Sequence, residues 1–161
     1  RKVLLEKFKN ISGSNIKIID LDTHYSKEIF SNLKLEKEMA DSKFILSPPG
    51  RSWTTTRHVN LSCFNCIPII CEPDIQTVNL ELNDGKNCIK YKNLKNLELE
   101  EKIFEIENLI KKLYYYLEKP NHELEKISKN WRDHIFENHT VEKKSLYILK
   151  TLENYKRKFN I

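Results

Sequence analysis

The sequence predicts an α/β domain: a mostly parallel sheet of about four strands flanked by helices, with a helical carboxyl-terminal third. Three observations point there. Short apolar runs such as residues 67–71 (IPIIC) have the unbroken hydrophobic character of strands covered on both faces. Between these runs, apolar residues recur every three or four positions, the spacing of amphipathic helices. Strands alternating with helices make β-α units, and such units pair in parallel.

The elements follow in order. Residues 15–21 (NIKIIDL) alternate with Ile and Leu and read as a buried strand. Over 26–39, the positions of Ile29, Phe30, Leu33, Leu35 and Met39 give an amphipathic helix. Residues 43–47 (KFILS) form the next strand, which Pro48 and Pro49 end. A helix is predicted over 53–64, with Ser52 or Thr54 as its cap. Strand 67–71 comes next, then a turn at Asp84-Gly85, then a strand over 88–91 (CIKY). Beyond it, 99–117 places Ile103, Ile106, Ile110 and Leu113 on one helix side, and Pro120 stops that helix. Asn121 opens another helix to about 137, and Thr140 caps a last one to about 158. In all, 161 residues suit one domain with a proper core, and no internal repeat divides them.

Composition narrows the function classes. Hydrophobic residues at 39% and charged residues at 32% are an ordinary soluble balance. The net charge of +5 is spread through interleaved stretches such as LEKISKNWRDHIFENH, which read as solvated helix faces. Without a basic block, no nucleic-acid partner is expected. No apolar run approaches the roughly 18 residues of a membrane span. Cys63 and Cys66 form a CxxC, but the second pair that a zinc site needs is missing. They read, with Cys71 and Cys88, as free core thiols, whose reduced state favours the cytoplasm; the compartment is otherwise open.

The stretch that carries chemistry is 42–70, SKFILSPPGRSWTTTRHVNLSCFNCIPII. Loop 47–52 leaves the carboxyl end of a strand and delivers the chain to a helix start. In open parallel sheets, ligands bind at that end, and a helix amino terminus offers free N–H groups to a phosphate. Ser52, Thr54, Thr55 and Thr56 add hydroxyls, and Arg51 and Arg57 add guanidinium forks suited to phosphate oxygens. The same residues also fit a plainer role, in which Ser and Thr cap the helix and Arg57 pairs with a surface carboxylate.

SKFILSPPG, then TTR, then NCIPII resembles the nucleotide-sugar-binding half of exostosin-like and related GT-B glycosyltransferases. Ser42-Lys43-Phe44, Pro48, Gly50, Thr55-x-Arg57 and Cys66-Ile67-Pro68 match that family's motifs in order and spacing. LNDGKNCIKYKNLKNLELEEKI and NHELEKISKNWRDHIFENHT resemble its later strand and closing helices, so the likeness covers roughly 42–151. Two positions depart from the pattern: Asn60 stands where many GT-B enzymes carry a ribose-binding acid, and Asn65 where they carry a glycine.

The resemblance implies a Rossmann-like donor-binding domain over 1–161, a piece of a larger two-domain protein. The activity implied is transfer of a sugar from a nucleoside diphosphate to a hydroxyl acceptor, with this domain inactive alone. Arg57 would be the main diphosphate contact, supported by Arg51, Ser52, Thr55, Thr56 and Gly50. Asn60, Ser47, Pro49 and Glu72 would face the ribose, base or sugar, and Asp74 shares the Glu72 loop. No catalytic residue is expected within this domain, since the base normally comes from the other one. No cofactor or metal is implied; the donor would be UDP- or GDP-linked, and the acceptor a glycan, protein or lipid. The final helix would cross to the other domain, leaving Tyr147, Leu149, Leu152 and Tyr155 partly exposed here.

Two rivals stand beside this reading. One is a non-catalytic Rossmann-like module that binds a nucleotide or a protein. The other, a methyltransferase-like enzyme, needs a glycine-rich loop after the first strand, and DTHYSKE after Leu21 has no glycine.

Overall fold

The computed structural model describes residues 7, 32–49, 56–74, 77 and 80–159. Among them the chain is mixed α/β. Three parallel strands, β1 (Phe44–Ser47), β2 (Ile67–Cys71) and β3 (Ile89–Tyr91), form a sheet in the order β1-β2-β3. Helix α1 (Asn32–Ala40) precedes β1, and α2 (Thr56–Asn60), extended by a 3₁₀ turn at Leu61–Cys63, lies between β1 and β2. Helices α3 (Leu99–Leu117), α4 (Asn121–Asn138) and α5 (Val141–Phe159) complete the chain. The expected strand over 15–21 and the first part of the expected helix over 26–39 lie outside the described residues. Three strands, not four, are therefore described.

β2 is the central strand, and all five of its residues are buried. Successive side chains point to opposite faces, so both faces of the strand are covered, as the continuous apolar run requires. Pro68 sits in this central strand, where a missing N–H would normally break a ladder. The register explains why it does not. The Ile67 N–H donates to Lys43 O on the β1 side at 2.8 Å, so the position of Pro68 faces β3. Pairing with β3 begins only at Ile69↔Ile89, one residue later.

The core joins this sheet to α3 and α4. Ile106, Leu109 and Tyr116 of α3 and Leu124, Ile127, Trp131 and Ile135 of α4 are buried with Ile67, Ile69, Ile70 and Ile89. α4 places these residues three or four apart and α3 three and then seven apart, which keeps each set on one stripe. Ile110 and Leu113 pack against the same cluster. α3 begins with a capping box in which the Glu98 N–H donates to Glu101 Oε2 at 3.0 Å. α5 is capped as expected, by the Lys143 N–H donating to Thr140 Oγ1 at 3.3 Å.

The turn before β3 is held tightly. Gly85 has φ 71°, a backbone that favours glycine, and a Cβ there would lie 2.5 Å from Tyr116 Oη. The Gly85 N–H donates to Cys88 O, while Asn87 Nδ2 donates to Glu81 O and Asn87 Oδ1 accepts the Asn83 N–H. Asp84 accepts the Lys90 N–H and pairs with Lys112 of α3. Cys88 stands in an isolated bridge with Asp84, so the strand expected over 88–91 starts one residue later, at Ile89.

Candidate functional site

Because the strands are parallel, Ser47 of β1, Cys71 of β2 and Tyr91 of β3 end at one edge of the sheet. The segments that follow them, Pro48-Pro49, Glu72-Pro73-Asp74 and Lys92, leave from that edge. α2 is tied to it by a side-chain bond: Ser47 Oγ and His58 Nδ1 lie 2.7 Å apart, and both residues are fully buried. A buried hydroxyl–imidazole bond of this kind satisfies two polar groups at once.

That bond orients α2. His58, Leu61 and Ser62 turn inward and are buried, with Val59 packed against the core. Thr56, Arg57 and Asn60 are exposed. Residues three and four apart share a helix face, so Arg57 and Asn60, and Thr56 and Asn60, share the outward one. The face carries a guanidinium fork, an amide and a hydroxyl, a set able to bind a phosphate and a neighbouring hydroxyl group.

The expected site is placed as follows. Arg57, Thr56 and Asn60 come together on α2, and Pro49 is exposed beyond β1. Gly50, Arg51, Ser52 and Thr55 lie outside the described residues, as do Trp53 and Thr54. Ser47, expected to face the ribose, base or sugar, has its hydroxyl buried and bonded to His58 beneath the outward face of α2. Glu72 follows β2 with its N–H donating to Tyr91 O at 2.8 Å, and its carboxylate lies 3.8 Å from Lys90 Nζ. Asp74 pairs with Lys95 at 3.2 Å. Both acids at this edge therefore have a lysine beside them.

Two further expectations change. The helix expected to run unbroken to residue 64 closes as a 3₁₀ turn after Asn60, which leaves five described residues of α-helix. On the outward face of those residues, the Arg57 guanidinium is a group able to bind an anion. Cys63 is exposed, whereas Cys66, Cys71 and Cys88 are buried, so three of the four free thiols belong to the core and one does not. Burial pushes the Cys66 and Cys88 thiols up to about 12, and Cys71, also raised by Asp74 and Glu72, up to about 11.

His58 takes a helix-packing role, which its place in the sequence favours over a ligand contact. The spacing from His58 to Leu61 matches an inward face, and a Ser closes the apolar strand that precedes it. At the opposite, amino-terminal edge of the sheet, a cleft of about 670 Å³ is lined by Lys43, Asn65, His122 and Arg132. Lys43 Nζ donates to Asn121 Oδ1 at 3.0 Å and Arg132 to Asn65 Oδ1 at 3.3 Å, so part of its polar lining is already paired. Among the described residues, no three His, Cys, Asp or Glu side chains gather as a metal site would need, and no helix is long and apolar enough to cross a membrane. Comparison with known protein families, characterised proteins and solved structures found no match.

Proposed function

We propose that this domain binds the diphosphate of a nucleotide-linked sugar at the carboxyl edge of its parallel sheet, as the donor half of a GT-B glycosyltransferase. The observation that carries the reading is the outward face of Thr56, Arg57 and Asn60, pinned beside the end of β1 by the Ser47–His58 bond. Ligands of open parallel sheets sit at that edge. The resemblance of 42–70 to exostosin-like enzymes supplies the ligand class.

In this reading Arg57 grips the diphosphate oxygens and stabilises the charge that develops as the nucleoside diphosphate leaves. Asn60, one turn further on the same face, hydrogen-bonds a ribose hydroxyl. An amide does so without the added strength of a carboxylate. The resemblance gives Gly50, Arg51, Ser52 and Thr55 supporting diphosphate roles, and Glu72 a contact with the ribose, base or sugar. The chemistry needs an acceptor and a base from outside this domain.

The test is ligand-observed NMR with UDP, GDP and their sugar conjugates, repeated on Arg57→Ala. Saturable binding of one nucleotide that the variant loses supports the reading. Binding of none, or binding that Arg57→Ala leaves unchanged, contradicts it. The second reading, a non-catalytic binding module, is favoured by the amide at Asn60. It predicts nucleotide binding with no release of sugar from any conjugate once an acceptor-bearing partner domain is supplied.

A further inference from the structure

α5 differs from the other long helices. In α3 and α4 the apolar stripe is buried in the core. In α5 apolar and polar residues are segregated as sharply as in α3, yet every residue from 141 to 159 is exposed. Val141, Ile148, Leu152, Tyr155 and Phe159, spaced by seven, four, three and four, form one stripe along about 28 Å of helix. Each is more than half exposed. A helix of this length gains little stability in water without a surface to pack on.

The charge on the helix identifies that surface. α5 holds six Lys and Arg against two Glu, so it carries four of the chain's five net positive charges. The interleaving of charges elsewhere hides this concentration. Helical spacing puts Lys144 and Lys156 on either flank of the apolar stripe, and Lys143, Lys150 and Arg157, seven apart, on the back. Tyr155 and Phe159 pack with ring centroids 4.5 Å apart and planes tilted by 40°, and Lys158 Nζ lies 5.5 Å from the Phe159 ring centre. An apolar stripe with aromatic residues, basic flanks and little overall hydrophobicity is the design of a helix that lies in a lipid interface. A second copy of α5 is a poorer occupant, because pairing would set two strongly cationic helices side by side, with Lys144 and Lys156 edging both apolar stripes.

We infer that α5 is a membrane-surface helix that docks the domain on an anionic bilayer, with its stripe in the acyl boundary and its lysines among the headgroups. Lys144 and Lys156 reach phosphates directly, while the charges on the back add long-range attraction that salt weakens. The inference rests on no part of the nucleotide site, and it gives to a bilayer the face that the GT-B resemblance would set against another domain.

The test is flotation of the 161-residue chain with vesicles of phosphatidylcholine alone, and of phosphatidylcholine mixed with phosphatidylglycerol. The expected result is binding to the anionic vesicles only, lost at high salt. The triple variant Lys156→Glu/Arg157→Glu/Lys158→Glu and the stripe variant Leu152→Asp each weaken binding at least about tenfold. Leu152 packs into no core, so thermal unfolding of the domain monitored at Trp131 stays unchanged in both. Failure to float with anionic vesicles, equal binding to neutral ones, or full binding by Leu152→Asp overturns the inference. So does a concentration-dependent dimer that ignores vesicles and that Leu152→Asp abolishes, which would assign the stripe to a second copy.

Discussion

Ser47 and His58 meet 2.7 Å apart at the carboxyl end of β1, both fully buried and eleven residues apart in the chain. This contact converts a strand end and a short helix into one fixed corner. Removing one partner leaves the other buried and short of a hydrogen bond, which costs about 1–3 kcal/mol. Ser47→Ala and His58→Ala should each lower the free energy of unfolding by at least that amount. Because they share one interaction, the double variant should lose less than the two together. Chemical denaturation of the four proteins checks this; strict additivity would show that the bond is energetically idle.

Asn60 offers a gain-of-affinity experiment. If it faces a ribose, Asn60→Asp replaces a neutral hydrogen bond by a charge-assisted one. Nucleotide affinity should rise by a few fold to about tenfold, while Asn60→Ala lowers it. Calorimetric titration reads both, and an Asn60→Asp variant that binds more weakly would move the ribose away from this face.

The thiols divide by burial. Cys63 should be alkylated by iodoacetamide at neutral pH in the folded domain. Cys66, Cys71 and Cys88, held above their ordinary 9.0 chiefly by burial, should react only on unfolding. These raised values also set a pH dependence. A folded state that binds its thiol protons more tightly than the unfolded chain keeps that stability below pH 9 and loses it as pH climbs toward 11 to 12. Thermal unfolding should therefore weaken across that alkaline window. Mass spectrometry of the labelled protein counts the reactive sites, and more than one would contradict the burial.

His134 imposes a dependence of the opposite sense. Burial, and then nearby His139, hold it below its usual 6.5, while Glu81 and Glu137 pull the other way. The folded state thus prefers the neutral ring. Its contribution is present above the unfolded value and is lost as pH falls below about 6.5. His134→Gln should lose less stability than the parent between about pH 7.5 and about pH 5.5. Equal losses would show that His134 does not set this dependence.

Gly85 is the least replaceable of the turn residues. Gly85→Ala forces a side chain onto φ 71° and brings its Cβ 2.5 Å from Tyr116 Oη. Strain of this kind costs about 1–3 kcal/mol, readable in a denaturation curve. Gly85→Asn, which tolerates that backbone better, should cost less at the backbone, although its Cβ meets the same hydroxyl.

What could be read from the residues divides along physical lines. β2, α3 and α4 were legible because their apolar spacing is long or unbroken, and α3 begins and ends where Glu98, Leu117 and Pro120 place it. The 3₁₀ closure after Asn60 was not legible, since Leu61-Ser62-Cys63 carries no breaker. Cys63 was read into the core because apolar neighbours surround it, yet its place in that turn exposes it. For α5 the periodicity gave the helix correctly, and the partial exposure expected of Tyr147, Leu149, Leu152 and Tyr155 extends to the whole helix. An apolar stripe has the same spacing whether or not anything covers it. Of the candidate site, Arg57, Thr56 and Asn60 were legible as polar residues after a strand. The burial of Ser47 was not, because it depends on His58 reaching back across the loop.

The site proposed for a nucleoside diphosphate is the α2 face at the carboxyl edge of the sheet. Amide chemical-shift mapping of a UDP and a GDP titration tests that placement. One nucleotide is expected to shift the amides of Ser47, Arg57, His58, Asn60 and Glu72 and to leave those of Asn65, His122 and Arg132 unmoved. Shifts gathered instead around the amino-terminal cleft at Lys43, Asn65 and Arg132 would contradict it.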